Sequence, residues 1–255
     1  MMINLTGKKG IVFGIANDKS IAYGCASALQ ALGAELCVTY LNEKARPHVA
    51  PLADQLGASL VLPCNVDTAG ELEAVFSRVQ EEWGQLDFVI HSIAWSPLDE
   101  LHGQLLDSSA EGFCKAMDIS CHSFIRMARL AKPLMSSGGA LITMSYQGAE
   151  RVVEHYNLMG PVKAALESAV RYLASELGPH QVRVHSLSPG PMPTRAASGI
   201  SDFDQLMNDA AERSPLRRLG TPSDVGHMAA FLISDHAAAL TGNLIHVDAG
   251  HHLMA

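Results

Sequence analysis

This sequence predicts an α/β fold with a doubly wound parallel sheet, on three observations. Short apolar runs alternate strictly with helical stretches. The intervening segments are long enough to be crossover connections between parallel strands. The chain has 255 residues, 48% hydrophobic and 17% charged, which suits one large domain over 1–255 with a substantial core.

The first strand spans 10–13 and stops at Gly14, and Ser20 then opens a helix with apolar residues at 21, 25, 28, 29 and 32 before Gly33. Ala22, Gly24, Cys25, Ala26 and Ala28 keep this helix thin enough to approach a sheet closely. Its first N–H groups would attract an anion, and a dinucleotide pyrophosphate suits that position. A full Gly-x-Gly-x-x-Gly is absent, so an ordinary strand-to-helix turn stays open on motif grounds. Strand 35–40, helix 43–56 and strand 59–64 follow, and Thr68 and Glu71 have capping-box spacing for the next helix. After strand 87–91 comes a loop rich in Ser, Pro and Asp to about 108, a long helical stretch to about 136, and strand 140–145. A helix over 162–177 ends at Gly178-Pro179, and strand 182–187, helix 224–234 and strand 244–247 complete the chain. Seven strands with helices on both faces make a Rossmann-like sheet.

Three loops leave strand C-termini, where such sheets bind ligands: 91–95, 145–156 and 188–194. The third leads into 195–215, where Phe203, Leu206, Met207, Ala210 and Ala211 form an i, i+3, i+4 stripe. That stripe reads as a small lid over a fatty substrate or as an amphipathic helix packed on the core. Arg213, Arg217 and Arg218 form the densest basic cluster, either a solvated face or a dock for an acidic carrier.

The chemistry centres on 145–163, which holds two of the five tyrosines. Tyr156 and Lys163 are seven residues apart, about two helical turns, nearly on one face. Pro161 is tolerated only in a first turn, so the helix begins near 157–159 and Tyr156 precedes it. An ammonium near a phenol would lower its pKa and prepare it to donate near neutral pH. Tyr146 either lines the same pocket or is a strand-end tyrosine with a wet hydroxyl.

Several function classes are disfavoured. The net charge of −8 argues against a nucleic-acid binder. No apolar run approaches a membrane span or a signal segment. Five cysteines without Cys-x-x-Cys read as buried thiols in a reducing compartment, and a cytoplasmic location is expected. No His-Glu-x-x-His or zinc spacing occurs, so no metal is expected, and His251-His252 reads as a surface pair. Ser145 lacks a Gly-x-Ser-x-Gly context, which disfavours hydrolase chemistry.

Taken together, the residues resemble a family. Tyr156-x6-Lys163, Gly14 through Ser20-Ile-Ala-Tyr-Gly24, His91-Ser-Ile93, Ser145-Tyr146, Gly190-Pro191, Thr194, Ala196-Ala-Ser-Gly-Ile200 and His246-Val-Asp248 resemble the enoyl-acyl-carrier-protein reductases of the short-chain dehydrogenase/reductase superfamily. Most of that superfamily has Tyr-x-x-x-Lys, whereas position 160 here is Gly160. The resemblance implies reduction of a trans-2-enoyl thioester of acyl carrier protein in fatty acid biosynthesis. Tyr156 would bond the thioester oxygen, with Tyr146 beside it as second catalytic phenol, and Lys163 would hold the nicotinamide ribose. Gly14, Ser20, Ile21, Val66, Ile93 and Thr194 would contact the cofactor; Ala94, Trp95 and Phe203 would join both tyrosines around substrate. NAD(H) is the implied cofactor, with NADPH left open by Lys44 and Arg46, and a homotetramer is implied. Departures from the pattern are Ala94 where glycine is usual, Trp95 after it, Pro193 where arginine is frequent, and Asn65-Val66 for Asp-Val. A carbonyl reductase acting on 3-ketoacyl thioesters, or a dinucleotide-binding regulator without turnover, are the rival readings.

Overall fold

The computed structural model describes residues 3–194 and 203–254. Seven strands form one parallel sheet: β1 (Lys9–Phe13), β2 (Glu35–Tyr40), β3 (Leu60–Pro63), β4 (Phe88–His91), β5 (Gly139–Met144), β6 (Val182–Pro189) and β7 (Leu244–Val247). Their order is β3-β2-β1-β4-β5-β6-β7, so the chain reverses direction across the sheet between β1 and β4. All seven expected strands are present, within two residues at each end. Registers such as Phe13 opposite His91 and His91 opposite Thr143 align the C-terminal ends of the central strands along one edge.

Side-chain alternation divides the core into two layers. Ile11, Phe13, Cys37, Val89, Leu141 and Val184 face one cluster, whereas Val12, Leu36, Val38, Ile90 and Ile142 face the other. The first layer is covered by α3 (Glu71–Trp83), α5 (Ala110–Met117), α6 (Ser123–Ala131) and α7 (Met159–Leu177). The second is covered by α1 (Ile21–Ala31), α2 (Arg46–Gln55) and α9 (Pro222–Ile233). Helices α1 and α9 touch backbone to backbone: a side chain at Gly24 would overlap the Pro222 carbonyl, and one at Gly226 the Gly24 carbonyl.

Four local expectations are corrected. Thr68 caps nothing with its side chain; Gly70, at φ 87°, turns the chain into α3, and the Glu71 carboxylate instead accepts from Asn65 N–H at 2.7 Å. Helix α9 has the capping box that sequence reading missed, between Thr221 and Asp224. The loop before 108 contains a short helix, α4 (Leu98–His102). The long stretch to 136 is α5 and α6 joined by a π turn, Asp118–His122.

Of the expected lid over 195–215, residues 195–202 lie outside the described residues, and α8 (Phe203–Arg213) forms the rest. Ala210 is buried and Leu206 and Met207 are half-buried, so the predicted stripe turns inward. The side chain of Phe203 also lies outside the described residues.

Candidate active site

The loops after β1, β4, β5 and β6 converge at the C-terminal edge of the sheet. Gly14 has φ 104°, and a Cβ there would overlap the Ser92 carbonyl, so glycine lets the two loops close together. Ser92 N–H donates to the Phe13 carbonyl at 3.2 Å and fixes that approach.

Ser20 is the N-cap of α1, yet its side chain does not cap the helix. Its Oγ accepts from the N–H groups of Ala16 and Asn17, both at 3.0 Å, and so shapes the preceding loop. The first turn of α1, beginning at Ile21, has neither a side-chain cap nor an acidic residue, which leaves its N–H groups and positive dipole end for an anion. Val66 is buried beyond β3, and its carbonyl accepts from Arg126 at 2.7 Å. Ile93 packs against the first core layer just beyond β4. Thr194 N–H donates to Met192 O at 2.7 Å in the loop after β6. With a glycine cradle, an uncapped helix end and apolar residues along one edge, the arrangement fits a dinucleotide.

Beside that edge stand the two tyrosines. Tyr156 lies in the turn before α7, as Pro161 requires, with its carbonyl accepting from Met159 N–H at 2.9 Å. Its ring packs edge-on against Tyr146, and a Cβ at Gly148 would come within 2.5 Å of it. Tyr146 Oη is buried and lacks a hydrogen-bond partner among the described residues, which rules out the wet-hydroxyl reading.

Lys163 is 4% exposed, and its Nζ donates to the Met144 carbonyl at 2.7 Å. Burial pulls its pKa down to about 8, against the opposing pull of Cys121 and Glu167. The expected lowering of the Tyr156 pKa by Lys163 is not found. Burial dominates and pushes the phenol up, with Tyr146 and Glu167 adding to the rise. Tyr156 is therefore a neutral donor, suited to hydrogen-bonding a developing oxyanion.

Ala94 and Trp95 occupy the loop after β4 and are exposed. Ser120, on the π turn, clasps Trp95 by accepting from its N–H at 2.8 Å and donating to its carbonyl at 2.9 Å. The Lys115 ammonium sits 5.3 Å from the Trp95 ring. Sequence reading missed this clasp and also Asn157, whose Nδ2 donates to the carbonyls of Leu101 and Gly103 and ties the α4 segment to the tyrosine loop. It missed Glu167 as well, although i, i+4 spacing from Lys163 was the available signal.

His251 and His252 are not a simple surface pair. The Asp248 carboxylate accepts from the N–H groups of Gly250 and His252 and meets the His252 ring at 2.9 Å. The His252 ring stacks on His246 at 3.8 Å with planes 10° apart. Donor atoms of His246, Asp248 and His252 lie within 4.8 Å of one another, a grouping that the sequence spacing did not reveal. Near-parallel stacked rings cannot both aim in-plane lone pairs at one ion, so this is a hydrogen-bonded clasp for the chain end.

Among the basic residues after α8, Arg218 forms a two-pronged pair with Asp224, and Arg217 donates to the Glu212 carbonyl. No helix among the described residues is long and apolar enough to cross a membrane.

Residues 14–252 match the family described as enoyl-(acyl carrier protein) reductase. The chain is 45% identical over 248 residues to enoyl-[acyl-carrier-protein] reductase [NADH] 1 of Rhizobium meliloti, covering 97% of this chain and 91% of that one. It is 45% identical over 252 residues to the NADH-named enoyl-[acyl-carrier-protein] reductase of Bacillus cereus, covering 98% of each. The crystal structure of the Anaplasma phagocytophilum reductase in complex with NAD superposes with a TM-score of 0.95 at 49% identity, covering 98% of this chain and 96% of that one. The Bacillus cereus reductase with NADP⁺ and indole naphthyridinone gives 0.97 at 45% identity, covering all of both chains. A seven-stranded sheet of this order, carrying a tyrosine and a buried lysine seven residues apart at its C-terminal edge, thus agrees with its relatives over nearly the whole length, and the chain belongs to the enoyl-(acyl carrier protein) reductase family.

Proposed function

We propose that this protein, a single domain over 1–255, reduces the 2,3 double bond of trans-2-enoyl-acyl-carrier-protein thioesters with NADH in fatty acid biosynthesis. The observation that carries the reading is the edge-to-face pairing of two half-buried tyrosines, Tyr146 and Tyr156, on the segment between β5 and α7, with the buried Lys163 two helical turns beyond Tyr156. When bound, NADH supplies the hydride that reaches the β-carbon of the enoyl group, and negative charge then develops on the thioester oxygen. Tyr156, un-ionised, donates its hydroxyl proton in a hydrogen bond to that oxygen. Tyr146 packs edge to face against the Tyr156 ring and so holds it in place. Lys163 presents its ammonium to the ribose hydroxyls. Gly14, Ser20 and Ile21 would hold the phosphates, Ser20 by ordering the loop, while Val66 would meet the adenine, Ile93 the ribose region and Thr194 the cofactor near its pyrophosphate and nicotinamide. By the resemblance, Ala94, Trp95 and Phe203 would join the tyrosines around the acyl chain.

The location is cytoplasmic and the assembly a homotetramer. All described cysteines are free thiols, which supports a reducing compartment. Ile125 on α6 and Tyr172 on α7 stand exposed on outer helix faces, which supports burial between subunits.

The test is loss of reduced-cofactor absorbance with crotonyl and longer enoyl thioesters. Turnover of these substrates is expected. Turnover of 3-ketoacyl thioesters instead would select the carbonyl reductase reading, and cofactor binding without any turnover would select the regulator.

A further inference from the structure

A buried ammonium with one carbonyl acceptor is unstable as a cation unless an opposite charge is held near it. Lys163 is in that position, and the structure places Glu167 one turn further along α7, where i and i+4 side chains share a face. Glu167 is itself 8% exposed, which is rare for a glutamate without a partner. Its Oε1 accepts from Ser145 Oγ at 2.5 Å.

The end of β5 ties the two charges together. The carbonyl of Met144 takes the Lys163 ammonium at 2.7 Å, and the side chain of the next residue, Ser145, takes the Glu167 carboxylate. Ser145 is in turn fixed by its N–H, which donates to Leu187 O on β6 at 2.7 Å. The last residue of β5 and the residue after it therefore hold a cation and an anion from one helix. We propose that Glu167 is a positioning residue: ionised and held by Ser145, it supplies the counter-charge that keeps Lys163 protonated and oriented toward the cofactor ribose. This rests on the proposed function above, in that Lys163 is taken to meet the cofactor.

The charges around the pair are few. Cys121 on the π turn and Glu167 act on Lys163 in the direction of a higher pKa, opposing burial. His91, in contact with Thr143 and Ser123, is buried and held neutral by a pKa pushed down to about 3. Glu167 is raised by burial first; Ser145, Arg171 and Lys163 draw it down, and Glu150 adds to the rise. Removing the Glu167 charge therefore lowers the Lys163 pKa, and removing the Ser145 donor raises the Glu167 pKa.

The experiment measures kcat/KM for crotonyl thioester at saturating NADH, and NADH affinity by fluorescence, from pH 5 to 10 for the parent, Glu167→Gln and Ser145→Ala. Glu167→Gln keeps the shape and a hydrogen bond to Ser145; its alkaline limb is expected at lower pH than the parent's by about one unit, the size of shift that a nearby opposite charge produces. Ser145→Ala is expected to move the acid limb upward instead. Unmoved limbs in both variants would overturn the proposal, whatever happens to the plateau rate. If Glu167→Gln does not fold, the acid limb of Ser145→Ala decides alone. If the parent shows no turnover, the reductase reading fails, and the fluorescence titrations still decide the role of Glu167.

Discussion

The Tyr146 and Tyr156 rings meet edge to face, with centroids 4.9 Å apart and planes inclined by 64°. This contact holds the Tyr156 hydroxyl in place without using it. Tyr156→Phe should therefore keep NADH affinity nearly unchanged and lower kcat on the order of 10²-fold, as loss of one oxyanion donor does. A parent-like rate in steady-state assays would shift the donor role to Tyr146, whose hydroxyl is also buried without a partner.

Lys163→Ala should act on binding. The ammonium is buried and held on the Met144 carbonyl at the end of β5. Calorimetry or fluorescence should show NADH affinity reduced at least tenfold, with the residual kcat at saturating cofactor falling less than in Tyr156→Phe.

Cofactor choice is read beyond β2. The Tyr40 hydroxyl donates to Glu43 at 3.0 Å, and Arg46 lies 3.4 Å from the same carboxylate. An anionic Glu43 with its neighbouring arginine already engaged disfavours a 2′-phosphate. Catalytic efficiency with NADH should exceed that with NADPH at least tenfold, and Glu43→Gln should narrow the ratio.

Ala94 is exposed on the loop that Ser120 pins at Trp95. The Bacillus cereus relative is solved with an indole naphthyridinone, and one added methyl in a tight site costs about 1 to 3 kcal/mol. Ala94→Gly should bind such ligands roughly tenfold more tightly, since ~1.4 kcal/mol is one decade. Equal inhibition constants would place the methyl outside the pocket.

The Arg218–Asp224 pair and the Thr221 cap give α9 a defined acid sensitivity. Asp224 is drawn down to about 2, first by Arg218 and then by Thr221. Its contribution to stability is complete above the ordinary carboxylate range and is lost as pH falls through about 2. Melting of Asp224→Asn should be lower than the parent's at pH 5, with the gap closing toward pH 2. The pair is half-exposed, so added salt should shrink part of the difference.

The seven strands were legible because each is a short apolar run ended by polar or turn-forming residues. The Tyr156-x6-Lys163 spacing was legible because Pro161 fixes where α7 can start. Charge states were not. Spacing alone suggested that Lys163 would lower the Tyr156 pKa, but the carbonyl that Lys163 bonds belongs to Met144, on a strand that no helical wheel contains. Ser20 opens α1 as expected, with its hydroxyl turned to the preceding loop, whereas Thr68 misled because its hydroxyl could cap a helix that Gly70 begins instead. Glu167 was not singled out: its i, i+4 spacing from Lys163 was visible in the chain, but its burial and its bond to Ser145 were not.

The π turn between α5 and α6 carries one more residue than an α-helix would place there. Removing a residue from 118–122 would rotate everything beyond it by about 100° relative to α5. Ser120 would leave the Trp95 backbone, and Cys121 would turn from Lys163. Chain length at this point is therefore as constrained as residue identity. A single-codon deletion in the turn would misalign the Trp95 loop and the lysine together.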